Sequence, residues 1–310
     1  MKTHTFSSMH SFLDALHPPF RYHISSLHVP NILGVGWNSP WNSWYNLRGG
    51  QFDAGTKQQL IQNYKWLPVL RRLYEGHVHR SCDLQWRLVE HEEESWAFGS
   101  LLGLSYDPIS GEKGGVCFNL SRDPALWTQD GSVVECWEKT DSTYPIPANI
   151  AIGAFWTMLC GNLPWVDIVV AFPSWSEFVE IRVIRLLKDE NIQNGLLKTI
   201  SAWRENHLLQ GTPPVLDDSR ACTEYLVEKY RYGGEQMRIA SQEENKLMDE
   251  YNQITEQIRT LQSQHRTLRN QLFDTVAYDR GIQTREGNKA IVSRGKNGFQ
   301  LRVVSSKNAS

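Results

Sequence analysis

The chain has 310 residues, enough to bury a full α/β core with an appendage. Its 32 Lys and Arg against 34 Asp and Glu give a formal charge of −2, which excludes a global pull toward polyanions. No apolar stretch reaches membrane-spanning length, the start Met1-Lys2-Thr3-His4-Thr5-Phe6 lacks a signal-peptide run, and the five scattered cysteines form no Cys-x-x-Cys. The expectation is a protein without membrane contact, in a reducing cytoplasm, with its thiols used as small apolar residues.

In chain order, residues 1–36 read as a helical lead-in ending in Ile32-Leu33-Gly34-Val35-Gly36, whose lone Gly-x-Gly is weak as a nucleotide motif. Ser39-Pro40-Trp41 is a helix start, with Ser as cap and Pro at the first helical position. Trp41, Trp44 and Tyr45 then share one face, and Gly49-Gly50 closes the helix. A second helix is predicted over 57–75, with a kink or restart at Pro68. Strand-like runs come next at Asp83–Glu90, Ser95–Leu104 and Val116–Leu120.

The segment from Gln129 to Trp137 reads as an Asp130-Gly131 turn feeding a short strand, Ser132-Val133-Val134-Glu135-Cys136-Trp137. Pro145-Ile146-Pro147 opens a helix over Ala148–Cys160 that is apolar almost all round and therefore buried. Trp165–Phe172 is a continuous apolar run, as in a central strand, and Phe178–Ile184 alternates as a second strand. Asp189–Gln210 is a helix, and Gly211-Thr212-Pro213-Pro214 a plausible boundary.

From Leu247 the apolar positions run Leu247, Tyr251, Ile254, Ile258, Leu261, His265, Leu268, Leu272, alternating four and three. That is a long helix with a narrow seam, open to self-association as a coiled coil or to folding back on its own domain. From Thr275 onward seven Lys and Arg face two Asp and Glu, in a small β-unit that suits phosphate contact or plain solvation. The domains read as 1–212, an α/β core; 213–274, a helical extension; and 275–310, a basic β-unit and tail.

Several segments together resemble one family, the lambda-exonuclease/YqaJ-type viral recombinase nucleases of the PD-(D/E)xK fold. They are Leu33-Gly34-Val35-Gly36-Trp37-Asn38-Ser39-Pro40-Trp41 with Leu47-Arg48-Gly49-Gly50, Leu67-Pro68-Val69-Leu70-Arg71-Arg72-Leu73-Tyr74-Glu75, and Asp130-Gly131-Ser132-Val133-Val134-Glu135. Gly161-Asn162-Leu163-Pro164-Trp165-Val166-Asp167 and Ala202-Trp203-Arg204-Glu205-Asn206-His207 with Gly211-Thr212-Pro213-Pro214 continue the match in order. The resemblance implies an α/β fold of the restriction-endonuclease-like type. In it a central mixed sheet is flanked by helices, with a long C-terminal helix and a small β-unit behind.

The resemblance also implies a roster of site residues: an early helical Glu before a Pro, an Asp, a Glu-x-Lys on a strand, and a Gln on the next helix. Mapped onto this chain the early Glu is Leu67, the Asp is Asp123, twelve residues before Glu135, the Lys is Trp137, and the Gln falls near Ile152. Asp123 and Glu135 then remain as ligands for Mg²⁺, with Mn²⁺ as its substitute. Lys139, two residues beyond Trp137 on the same strand face, is the candidate for a relocated lysine. Losing the electrostatic group costs about 10²–10³ in rate. The plainer readings are a turn residue before Pro124 for Asp123 and a buried paired carboxylate for Glu135.

The resemblance therefore implies a phage or mobile-element recombination protein of the exonuclease fold, in the host-cell cytoplasm. It would bind DNA ends, or a partner such as a single-strand annealing protein or a host-defence protein, with catalysis impaired. An active Mg²⁺-dependent exonuclease with relocated ligands, and a protein-binding module without DNA contact, are the rival readings. Glu75 is a candidate for partial replacement of the lost carboxylate, and His77-x-His79 with His91 is a weak zinc pattern.

Overall fold

In a computed structural model of the protein, the chain opens with a strand, β1 (Lys2–Phe6), where the sequence predicts a helical lead-in. The residues described are 2–15, 23–49, 54–121, 127, 136–137, 146–172, 180–233, 237–276, 280–295 and 298–304. Helix α1 (Met9–Ala15) comes next and buries Phe12, Leu13 and Ala15. After β2 (Ile24–Ser25) and a single turn, α2 (Val29–Ile32), comes α3 (Pro40–Leu47). It starts where Ser39-Pro40 predicts, and the Asn42 side-chain oxygen accepts from the Ser39 N–H at 3.3 Å and its hydroxyl at 3.0 Å.

The helix predicted over 57–75 is two, α4 (Ala54–Tyr64) and α5 (Leu67–Val78). The chain breaks at Lys65 and Trp66, so Pro68 sits in a first turn where its missing N–H costs nothing. The next two strand-like runs are each cut in two. Asp83–Glu90 divides into β3 (Cys82–Leu84) and β4 (Trp86–Glu90), and Ser95–Leu104 into β5 (Ala97–Ser100) and β6 (Gly103–Tyr106). The chain changes sheets at Gln85 and again at Leu101-Leu102. Gln85 N–H donates to the Leu102 carbonyl at 2.9 Å, and Leu101 N–H to the Arg87 carbonyl at 3.0 Å, so the crossing backbone stays satisfied.

Beyond β7 (Lys113–Leu120) come the short pair β8 (Cys136–Trp137) and β9 (Ile146–Pro147), then helix α6 (Ala148–Gly161). Strands β10 (Trp165–Phe172) and β11 (Glu180–Leu187) lead into α7 (Glu190–Trp203), capped by Asp189, whose carboxylate accepts from the Asn191 and Ile192 N–H groups. A π-helical turn, Arg204–Leu209, and α8 (Arg220–Lys229) complete this part. The long helix α9 (Gln242–Val276) and strands β12 (Gly281–Gln283), β13 (Lys289–Gly295) and β14 (Gly298–Val304) form the rest. The chain divides into two compact units, Met1–Tyr232 and Gly233–Ser310.

The main sheet has the order β11-β10-β7-β6-β3. Only β10 and β7 run parallel; the other neighbours are antiparallel. A second sheet has the order β1-β4-β5-β2. This is the expected mixed sheet flanked by helices. All eight residues of β10 are buried, as its apolar run predicts. Val166, Ile168, Val170 and Phe172 join the largest apolar cluster, which also holds Ala151, Phe155 and Met158 of α6. Val169 faces the other way, toward Tyr74 of α5. The sheet is thus covered on both faces.

Close packing fixes α6. A side chain at Gly99 of β5 would meet the Thr157 backbone at 2.9 Å, so the strand approaches α6 only as glycine. Trp156 of α6 donates its indole N–H to the Phe98 carbonyl at 3.1 Å. The two tryptophans of α3 tie down a distant segment: Trp41 donates to the Val215 carbonyl at 2.7 Å and Trp44 to the His207 carbonyl at 2.8 Å. Both rings are buried in one cluster with Ala221 and Cys222 of α8, so these tryptophans serve the core rather than base stacking.

Strand β1 forms because its partner waits 80-odd residues away. It pairs antiparallel with β4 from Lys2↔Glu90 to Phe6↔Trp86. Lys2 Nζ donates to Glu90 at 2.8 Å, and the His4 ring nitrogen Nε2 lies 3.0 Å from it. Burial works against the charged form of Glu90, but the Lys2 and His4 hydrogen bonds prevail and hold its carboxyl below the usual range.

Candidate functional site

Of the residues that the family resemblance singles out, Asp123, Glu135 and Lys139 lie outside the described residues. The backbone at Trp137 is described: it belongs to β8 and pairs with Ile146 of β9. Two further positions are fully described, and both are apolar in surroundings as well as in kind. Leu67, at the start of α5, is 2% exposed and packs with Phe12, Leu13, Leu88, Phe98 and Leu102. Ile152 of α6 packs against the largest apolar cluster, as does Cys117 of β7. Burial pushes the Cys117 thiol up to about 12, so it stays protonated and inert at neutral pH.

A cavity of about 340 Å³ opens beside Leu67 and Pro68. Tyr64, Trp86, Met9 and Leu102 give it a mainly apolar lining, with Lys65 and Gln85 as its polar members. Mg²⁺ takes oxygen ligands and keeps several waters. This lining supplies no carboxylate, so the residues around Leu67 do not fit a metal. Among the described residues no group of three or more His, Cys, Asp and Glu is placed to hold one.

The other candidates are occupied or dispersed. Glu75 Oε1 accepts from the Cys82 backbone N–H at 2.8 Å and from Arg71 Nε at 3.1 Å. The Cys82 N–H, then Arg71, hold its carboxyl below the usual range despite some burial. It pins the end of α5 to β3 rather than facing an open site. His77 sits in the last turn of α5, and His79 takes a left-handed conformation (φ 53°) that ends the helix, so the two imidazoles do not share a strand face. His91 Nδ1 accepts from the Glu93 and Glu94 N–H groups.

The densest charged constellation in the described residues was not legible as a site in the sequence. It centres on Asp167 of β10, which is 1% exposed. Arg185 of β11 grips both its oxygens, Nε to Oδ1 at 2.8 Å and Nη2 to Oδ2 at 3.1 Å. Tyr74 of α5 donates its hydroxyl to Oδ2 at 2.8 Å, and Arg80 donates Nη2 to the same oxygen at 3.2 Å. Asp107, at the end of β6, accepts from Arg185 Nη1 and, at a long 3.4 Å, from Arg80 Nη1. Its other oxygen accepts from the Ile109 and Ser110 N–H groups of the hairpin at 2.9 and 3.3 Å.

Arg185 also stacks on Trp165, its guanidinium carbon 3.9 Å from the ring centroid. Behind the ring lies Gly114, where any side chain would collide with the indole at 2.1 Å. The Arg185 hydrogen bond, then the hairpin N–H groups, hold the Asp107 carboxyl down to about 2. Burial and then the adjacent Asp167 carboxylate push the Tyr74 hydroxyl well above its ordinary range. Two carboxylates meet two guanidinium groups, so the cluster carries no net charge for a phosphate. It joins β10, β11, α5, the α5–β3 connection and the β6–β7 hairpin, and its chemistry is that of a clamp. The one signal in the sequence is the lone charge of Asp167 inside the apolar run Trp165–Phe172.

No protein-family model matches the chain, and no curated protein matches it. Among solved structures, the fold is similar to that of LHK-Exo, an alkaline exonuclease from Laribacter hongkongensis. The crystal structure of LHK-Exo in complex with dAMP has a TM-score of 0.46 at 12% identity, covering 70% of this chain and 98% of that one. A second crystal structure of the same enzyme has a TM-score of 0.40 at 13% identity, covering 62% and 95%.

Proposed function

We propose that this chain is a DNA-processing protein of the exonuclease fold, of phage or mobile-element origin, that binds DNA ends with its nuclease chemistry impaired. The observation that carries the reading is Leu67. The position that the family resemblance gives to a carboxylate is a leucine sealed among phenylalanine and leucine side chains. Ile152, against the main core, replaces a second polar group, and Trp137 stands in place of the lysine. Asp123 and Glu135 are proposed as the surviving acidic pair, Mg²⁺ or Mn²⁺ as the ion they would take, and Lys139 as the nearest lysine.

Phosphate contact is assigned to the C-terminal β-unit. Arg280, Arg285, Lys289 and Arg302 are exposed there. Lys289 and Arg302 share one face of the β13–β14 pair, since Lys289 lies opposite Val304 and Ile291 opposite Arg302. A single-strand annealing protein or a host-defence protein is the partner class proposed for the DNA-bound form.

The test is duplex binding in EDTA across a salt series. Retention of linear DNA without metal, weakening steeply as salt rises, supports the reading. Absence of DNA binding at low salt overturns it in favour of a protein-binding module.

A further inference from the structure

We propose that α9 pairs with α9 of a second copy of this chain as a parallel, in-register, two-stranded coiled coil. Helix α9 has 35 residues, and Val276 is its one buried residue. At 1.5 Å per residue it extends about 52 Å. No helix among the described residues is long and apolar enough to cross a membrane. Yet Leu247, Tyr251, Ile254, Ile258, Leu261 and Leu268 are 48–71% exposed and fall on one seam.

The spacing identifies what covers them. The seam alternates four and three from Leu247 to Leu272 without a slip. A repeat of seven drifts about 20° per heptad on a straight helix, and stays on one contact line only when the helix supercoils about another. A helix lying on a globular core carries a wider stripe, of three or four apolar residues per two turns. Here the stripe is two per heptad.

Register is set by the residues at each layer. Leu247, Ile254, Leu261 and Leu268 occupy one core position of the heptad (d), and Tyr251, Ile258, His265 and Leu272 the other (a). Leucine at three of the four d positions, with β-branched Ile258 at one a position, is the combination that suits two parallel strands. His265 selects the alignment. In the parallel, in-register pair it meets its own copy, where one imidazole N–H donates to the other ring's bare nitrogen. In an antiparallel pair it faces an aliphatic d residue and its polar atoms go unmatched, which costs more than the bond gains. The flanking contacts oppose nothing: Glu250 comes beside Thr255, Gln257 beside Gln262 and Gln264 beside Arg269, with no like-charged pair. The pairing is independent of whether the first unit cuts or binds DNA.

Sedimentation equilibrium of the full chain tests it, with circular dichroism to confirm that variants keep their helix. The expected result is a species of twice the 35.7 kDa chain mass. Leu261→Asp, at the centre of the seam, should return it to one copy, and Ser263→Asp, on the opposite face, should leave it paired. Ile254→Cys should crosslink to its own copy on oxidation, beyond the level of the wild type with its native thiols. A wild type that stays a single copy, as it would if the seam folds back or takes another protein, overturns the proposal. So does a paired Leu261→Asp variant, a three-copy mass, or no added crosslink from Ile254→Cys.

Discussion

Asp167 and Arg185 sit directly opposite each other across the antiparallel β10–β11 pair, and the arginine fork closes on both carboxylate oxygens. The carboxylate is fully buried while the guanidinium keeps a quarter of its surface open, 1% against 26%. Removing the acid takes away the acceptor that Arg185, Arg80 and the Tyr74 hydroxyl share, and leaves Asp107 as the one carboxylate against two guanidinium groups. Breaking such a pair by deleting one partner costs about 3–5 kcal/mol. Asp167→Ala should therefore lower the urea midpoint of the first unit, and by more than Asp83→Ala, whose carboxylate is 55% exposed and whose buried partner Arg87 keeps the Asp83 and Leu101 carbonyls as acceptors.

Asp107 gives the same clamp a pH dependence. Its carboxyl is held down to about 2, below its unfolded value, by Arg185 and the hairpin N–H groups. The ionised form is favoured in the folded chain, so its contribution is fully present above the unfolded value. It is lost as pH falls through the ordinary carboxylate range toward 2. Unfolding midpoints measured from pH 5 to pH 2 should fall for the wild type, and Asp107→Asn should flatten part of that fall while lowering the midpoint at pH 7.

Leu67→Glu places a carboxylate at the position that the family resemblance gives to a glutamate. A glutamate there enters the cluster of Phe12, Leu88 and Phe98, and an ionised group in such a place costs several kcal/mol. The variant should unfold at lower urea than the wild type and show no gain in DNA cleavage. Leu67→Met, which keeps volume and polarity, should cost less than about 1.5 kcal/mol.

The basic face of the C-terminal β-unit should govern affinity without reading sequence. Lys289→Glu with Arg302→Glu should weaken duplex binding uniformly across sequences. The slope of log K against log salt should also become shallower, by about 0.9 for each phosphate no longer neutralised. Fluorescence anisotropy with two unrelated duplexes measures both effects. The first unit should keep its unfolding midpoint.

Local chemistry made part of this fold legible. Ser39-Pro40 marks the start of α3, the apolar run marks β10 as central, and the four-three spacing marks α9, because each signal is carried by neighbouring residues. What was hidden depends on partners far along the chain. Lys2–Phe6 is a weak strand by itself and forms by pairing with β4, where Glu90 fastens Lys2 and His4. Asp83–Glu90 looks continuous, yet Gln85 bonds to Leu102 and the chain leaves one sheet for the other. The clamp draws on Tyr74, Arg80, Asp107, Asp167 and Arg185, and no spacing announces it. Of the positions that the family resemblance assigns to polar groups, Leu67 is buried among apolar side chains and Ile152 packs, partly buried, against the largest apolar cluster.

The most direct measurement is digestion of linear duplex DNA with excess Mg²⁺ or Mn²⁺ by the wild type, Glu135→Ala and Trp137→Lys. Impaired chemistry predicts intact DNA with the wild type and with Glu135→Ala, under conditions where the wild type binds the duplex. Wild-type cleavage that disappears in Glu135→Ala would contradict it, and would establish a working nuclease whose lysine has moved, with Lys139 next to be replaced.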